Sequence, residues 1–233
     1  MNVKAEGKIK MPDMPNLEIH GTGRIISTFA LQHLMAAALF ARHAQIIERQ
    51  NLEMPFGAFF EDIRSYVSGA IMSSTAALEA NINELFIAHG GPLRSTLHDF
   101  DTDFWGRKGI EQKSILAKYQ EALRILGKEK LREDSPFYED AEDLIGLRNC
   151  LVHFKPLWDP EKKRQVDLVG KLKNKFALSS FCDEGADFIA MKCMSYSCAA
   201  WAVLVSKAFV KEFSMISGLQ DRFSQFQDKL HVE

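Results

Sequence analysis

The stretch 144-LIGLRNCLVHFKP-156 carries an arginine, an asparagine and a histidine inside a pattern that is otherwise typical of a buried helix. Arg148, Asn149 and His153 fall within about one and a half helical turns. A guanidinium is a permanent cation, a side-chain amide donates and accepts hydrogen bonds, and an imidazole exchanges its proton near neutral pH. Residues of these types can hold an anionic group and move a proton beside it.

Arg148 occupies a position that requires a partner. On a helical wheel it falls near the middle of a broad apolar face. The other residues of that face are Phe137, Ala141, Leu144, Ile145, Leu147, Leu151, Val152 and Phe154. Because an unpaired buried charge is strongly destabilising, we expect Arg148 to meet an acid or to line a pocket. Glu79, which borders the apolar stripe of the second predicted helix, is the candidate acid.

The opposite side of the same helix is polar. Glu142, Gly146, Asn149 and His153 follow one another there at intervals of three and four residues. This side could face solvent, or it could be the seam where a second subunit crosses, with two-fold symmetry bringing both copies of His153 together. The alternative for all three polar residues is structural: an ion-pair arginine, a surface amide and a histidine stabilised by the helix dipole.

Hydrophobic periodicity predicts the elements that position these residues. The predicted helices span about residues 27–50, 58–88, 108–126, 136–154 and 184–216. Before them, a short polar and apolar alternation around 11-MPDMPN-16 predicts a hairpin or an extended arm. We therefore expect an all-α fold, an up-and-down bundle of about five helices. Residues 1–27 would form the arm and residues 28–233 one helical domain.

Local signals define the ends of the fourth helix, which holds the polar residues. Ser135 predicts the N-cap, Pro136 the first helical residue, and Pro156 an end near Phe154. His153 is therefore expected in the last turn.

Composition and missing motifs exclude several classes of function. The net charge of −2 excludes a chain-wide basic surface, so nucleic-acid binding would require a local patch. Four cysteines without a CxxC pair or a secretion signal predict reduced thiols in the cytoplasm, and no apolar run is long enough for a membrane span. The sequence contains no Walker A, G-x-G-x-x-G, HExxH or G-x-S-x-G motif, so we expect neither a cofactor nor a metal.

The segment 148-RNCLVH-153 resembles the R-x4-6-H signature of the HEPN superfamily (higher eukaryote and prokaryote nucleotide-binding domains), in the form with Asn directly after Arg. Upstream, 73-SSTAALEANINELF-86 is similar to the family's helix with the pattern A-x-E-x-x-x-N-E-L. A long apolar helix follows the motif, as in the family. The resemblance covers roughly residues 28–216 and leaves out the N-terminal arm and the segment 92–106.

The resemblance implies a homodimer in which two motif helices form one cleft. Many members of the family are metal-independent ribonucleases that use the ribose 2′-OH to attack the adjacent phosphate; others are non-catalytic binding or assembly modules. The implied catalytic residues are Arg148 for the phosphorane charge, Asn149 for orientation and His153 as acid or base. The implied partners are RNA and, for a toxin or defence protein, an antitoxin or another regulatory protein.

A basic connector follows the motif and predicts where phosphate would bind. Residues 155–175 carry Lys155, Lys162, Lys163, Arg164, Lys171, Lys173 and Lys175 against Asp159, Glu161 and Asp167. The surplus of four positive charges lies beside His153, and Trp158 could stack on a base or pin the loop. The alternative is that these lysines are only solvated.

Three functions therefore stay open at this point: an HEPN-like endoribonuclease, a non-catalytic HEPN-like dimeric module, and a plain helical scaffold.

Overall fold

The computed structural model describes residues 5–6, 22–23, 28–87, 93, 109–155 and 163–232, with the backbone alone at 5–6, 22–23 and 163–165. The helices in these ranges are α1 (Ala30–Asn51), α2 (Phe59–Ile87), α3 (Ile115–Ile125), α4 (Pro136–Val152), α5 (Lys163–Leu172) and α6 (Tyr196–Ser217). Short turns of 3₁₀-helix lie at Ile110–Gln112 and Ser224–Leu230, and a π-helical turn at Phe188–Lys192. The predicted all-α helical bundle is confirmed.

Near the N-terminus, β1 (Ala5–Glu6) pairs antiparallel with β2 (Thr22–Gly23). This pairing agrees with the predicted hairpin, and the rest of the predicted arm lies outside the described residues.

Three long helices form the centre of the bundle. α1, α2 and α6 pack on one another, and α4 packs on α2 and α6. The face of α1 that enters the core is built from alanines such as Ala37, Ala38 and Ala41, whose short side chains allow neighbouring helices to approach closely. A Cβ at Gly69 of α2 would lie 2.9 Å from the Phe40 ring of α1, so a larger residue there would have to displace that ring.

Serine caps position the helices around the site. Ser135 accepts a hydrogen bond from Tyr138 N at 3.3 Å and Pro136 is the first residue of α4, as predicted. Ser195 Oγ accepts from Cys198 N at the start of α6 and donates to the carbonyl of Ala177.

Two predicted helix boundaries are wrong. The third helix begins at Ile115 rather than near residue 108, because Ser114 caps it and a separate 3₁₀ turn precedes it. The predicted final helix 184–216 is two elements: the π-helical turn, started by Asp187 accepting from Ala190 N, and α6 after the Ser195 cap. Both breaks occur where a short polar side chain satisfies free backbone N–H groups.

The basic connector is also more ordered than predicted, because it contains α5. Leu168, Val169 and Leu172 recur at helical spacing, and they pack against the core. This helix contacts α4 and therefore lies beside the candidate site.

Among the described residues, no helix is both long enough and apolar enough to cross a membrane.

Candidate functional site

The C-terminal half of α4 holds Arg148 and Asn149, and His153 directly follows its last residue. Arg148 is half-buried, and within the described part of the chain it makes neither an ion pair nor a hydrogen bond. Asn149 and His153 are exposed; the His153 N–H donates to the Asn149 carbonyl at 3.0 Å, so His153 caps the helix. No described hydrogen bond joins the three side chains, and Arg148 and His153 lie about 140° apart around the axis.

Glu79 does not pair with Arg148, so that prediction is wrong. Its Oε1 lies 3.0 Å from Lys118 Nζ of α3, a side chain that is only 3% exposed. Lys118 is more deeply buried than Arg148, and its charge therefore has the greater need of a counter-ion.

Two other residues of the segment 73–86 also serve the fold: Glu84, which belongs to the family-like pattern, and Asn81, which lies between the residues of that pattern. Asn81 Nδ2 donates to the hydroxyl of Tyr119, which in turn donates to the Leu78 carbonyl. Glu84 accepts hydrogen bonds from Phe29 N and Ala30 N at the start of α1 and pairs with Arg222. These contacts connect α2 to α3, to the start of α1 and to Arg222, which follows α6.

The chain's own helix α5 covers part of the polar side of α4. A Cβ built on Gly146 would lie 3.3 Å from Leu168 Cδ1, and Lys171 Nζ lies 3.4 Å from Glu142 Oε2. The sequence predicts solvent or a second subunit as the neighbour of this side, whereas at Gly146 the neighbour is α5. Asn149 and His153, closer to the end of the helix, remain exposed.

An ion cluster attaches the end of α5 to α4. Lys175 Nζ contacts Asp140 and lies 3.0 Å from Asp143, while Lys171 Nζ lies 3.7 Å from Asp143. Burial alone would lower the pKa of Lys175, but its hydrogen bonds to Asp140 and Asp143 outweigh burial and raise that pKa. Two cations of the predicted phosphate-binding face are therefore neutralised by acids of α4.

The other predicted substrate-binding residues are placed only in part. Lys155 is exposed two residues beyond His153. Lys163 and Arg164 lie in the first turn of α5, and their side chains are outside the described atoms. Trp158 and Lys162 lie outside the described residues altogether.

A cleft of about 230 Å³ opens beside the end of α4. Its lining residues are Arg64, Ser68, Met72, Leu151, Phe154, Ala190 and Met194. Leu151 and Phe154 flank His153 in the chain, so the cleft and the motif share one end of the helix. The sequence motifs do not indicate this cleft, although Arg64, Ser68 and Met72 are spaced by four residues and thus lie on one face of α2.

No group of three His, Cys, Asp or Glu side chains in the described part of the chain could hold a metal ion. All four cysteines are free, and burial raises the pKa of Cys150 above its usual value.

No family model matches the chain, and neither the curated proteins nor the solved structures contain a match. The HEPN resemblance therefore rests on the sequence motifs.

Proposed function

We propose that the protein is an HEPN-like, metal-independent endoribonuclease, a cytoplasmic effector of the toxin or defence type that acts as a homodimer. The observation that carries this proposal is Arg148, a half-buried cation without a counter-ion among the described residues. An anion that binds to a guanidinium in such a position stabilises it strongly, because the charge is half-buried and has no other counter-ion. Exposed His153 and Lys155 at the same end of α4 favour a phosphate as that anion.

The proposed reaction is attack of a ribose 2′-OH on the neighbouring phosphate. The 2′ oxygen forms a bond to phosphorus, the bond to the 5′ oxygen breaks, and the products carry a 2′,3′-cyclic phosphate and a 5′-OH. His153 would take the 2′-OH proton or supply a proton to the leaving 5′ oxygen, because an imidazole can serve as a general base or as a general acid. Arg148 would stabilise the charge that develops on the phosphorane oxygens, and Asn149 would orient the strand or His153.

Dimerisation would complete the site. One α4 does not direct Arg148 and His153 toward the same point, since they lie about 140° apart around the axis. A second copy of α4 facing the exposed Asn149 and His153 would supply the complementary group. Because α5 covers Gly146, the partner's helix would approach near the C-terminal end of α4.

The same separation favours a second candidate, a non-catalytic HEPN-like dimeric module that binds RNA or assembles with a regulatory protein. In that case Arg148 would contribute to binding and His153 would have no role in chemistry.

The test is incubation of purified protein with mixed cellular RNA in EDTA, followed by analysis of the product ends. Wild type is expected to leave 2′,3′-cyclic phosphates and His153→Ala to be inactive. The matched control is His231→Ala, because His231 is also exposed and also follows the last residue of a helical segment.

Three results are decisive. Cleavage lost in His153→Ala and kept in His231→Ala supports the ribonuclease. Cleavage kept in both variants contradicts the catalytic role of His153, and RNA binding without any cleavage favours the non-catalytic module. Circular dichroism and thermal unfolding confirm that the variants are folded.

A further inference from the structure

The cleft between α2, the end of α4 and the π-helical turn has an amphipathic lining. Met72, Leu151, Phe154, Ala190 and Met194 supply apolar walls, with Arg64 and Ser68 as polar groups. At about 230 Å³ it is smaller than the roughly 300–1,000 Å³ pockets that hold drug-sized ligands. Its size and lining fit one flat ring system that carries a negative group.

The polar groups of the cleft can form further hydrogen bonds with a ligand. Arg64 Nη1 holds both Glu61 oxygens at 3.1 Å, and its other guanidinium N–H groups have no partner among the described residues. Ser68 Oγ donates to Met194 Sδ at 3.7 Å, and a thioether sulfur is a weak acceptor. A carbonyl oxygen or ring nitrogen entering the cleft would be a better acceptor for that hydroxyl.

The apolar groups are suited to stacking. Phe154 is 43% exposed although it lines the cleft, so one part of the ring remains accessible. Met72 and Met194 add polarisable sulfur atoms, which make favourable contacts with aromatic rings.

We propose that this cleft binds one nucleobase of the RNA, stacked against Phe154 and the two thioethers, while Arg64 contacts the attached phosphate. The inference rests on the proposed function, since it places a base-binding subsite next to His153. It assigns substrate contacts to α2, which carries none of the residues of the R-x4-6-H motif.

Methionine methyl signals report on the cleft directly. In protein with ¹³C-labelled methionine methyl groups, adenosine 5′-monophosphate is expected to shift the Met72 and Met194 signals. Met215, which is exposed on α6 and does not line the cleft, is the internal control. Ribose 5-phosphate lacks the base and is expected to leave all three signals unchanged. Equal shifts with both compounds, or none with either in large excess, contradict the proposal.

Two pairs of variants test the individual contacts. Phe154→Ala is expected to weaken nucleotide binding roughly 5- to 150-fold, the usual effect of removing a stacking ring. Phe137→Ala is the control, because Phe137 is 41% exposed at the other end of α4.

Arg64→Gln is expected to weaken binding of the nucleotide, roughly fivefold or more, and to leave binding of adenosine unchanged. Arg124→Gln is its control, since Arg124 also pairs with a glutamate three residues earlier. Equal effects in variant and control contradict the assignment of that contact.

This proposal and the ribonuclease proposal fail separately. If the protein cuts RNA but the nucleotide does not shift the Met72 and Met194 signals, only the base-binding subsite is refuted. A protein whose cleft binds the nucleotide but that cuts no RNA supports the subsite and refutes catalysis.

Discussion

Two lysines in the ion cluster between α4 and the end of α5 share one acid, and we expect them to contribute very differently to the free energy of unfolding. Lys175 is 21% exposed and contacts Asp143, which is 4% exposed, at 3.0 Å. Lys171 is 55% exposed and lies 3.7 Å from the same carboxylate. Lys175→Met keeps most of the aliphatic stem and removes the charge, and Lys171→Met does the same at the exposed position.

The expected magnitudes follow from burial. Removing one member of a fully buried pair costs about 3–5 kcal/mol, and an exposed pair contributes about 0–1 kcal/mol. Lys175 lies between these limits, so Lys175→Met should lower the free energy of unfolding by about 2–3 kcal/mol, and Lys171→Met by less than about 1 kcal/mol. For a chain of 233 residues these values correspond to Tm decreases of roughly 4–12 °C and below roughly 4 °C.

Denaturant unfolding and calorimetry measure both variants, and pH gives a second check. Because the pKa of Lys175 is raised on folding, its stabilisation is fully present below the unfolded pKa of about 10.4 and is lost as the pH rises from there through the higher folded pKa. The difference between wild type and Lys175→Met should therefore stay constant between about pH 6 and 9 and decrease above about pH 10.4. Equal losses for the two lysines, or a loss that vanishes near neutral pH, would refute this reasoning.

Two further variants test the contacts of α2. Tyr119→Phe leaves Asn81 Nδ2 buried without its described acceptor, so the free energy of unfolding should fall by about 1–3 kcal/mol in a urea titration; an unchanged midpoint contradicts the role of that hydroxyl. Glu84→Gln removes the charge that pairs with Arg222 and accepts from the first backbone N–H groups of α1. It should cost about 1–2 kcal/mol, with a smaller loss at high salt, and a loss independent of salt argues against an electrostatic contribution.

The helices that can be predicted from the sequence are those with strong local signals. The Ser135–Pro136 start of α4 and the apolar periodicity of α1 and α2 depend on residues a few positions apart. The sequence does not predict α5, because the three apolar residues that pack against the core lie among many charges, and the balance of charge in residues 155–175 indicates a solvated loop. Tertiary contacts make that short helix part of the bundle: Leu168 lies against Gly146, Leu172 is buried in the core, and Lys171 pairs with acids of α4.

Side-chain partners were harder to predict than helices. The sequence predicts that Glu79 pairs with Arg148, because Glu79 borders the apolar stripe of α2 and Arg148 lies within the apolar face of α4. Instead, α3 brings the more deeply buried Lys118 to that carboxylate. Such a choice depends on relative burial, which follows from the packing of whole helices and not from spacing within one of them. The cleft was missed for the same reason, since three separate segments of the chain line it.

The N-terminal half of α4 contributes to stability, and its C-terminal end holds the residues of the proposed chemistry. The N-terminal half carries Asp140 and Asp143, whose charges are tied to Lys171 and Lys175. The C-terminal half carries Arg148 without a described counter-ion, and the exposed His153 follows its last residue. Removing Lys175 should therefore lower the free energy of unfolding and leave RNA cleavage unchanged at temperatures where the variant is folded. Removing His153 should abolish cleavage with little change in stability, because an exposed side chain at a helix end contributes little to folding. A protein in which every loss of activity followed loss of stability would be a helical scaffold, and α4 would then have one role along its whole length.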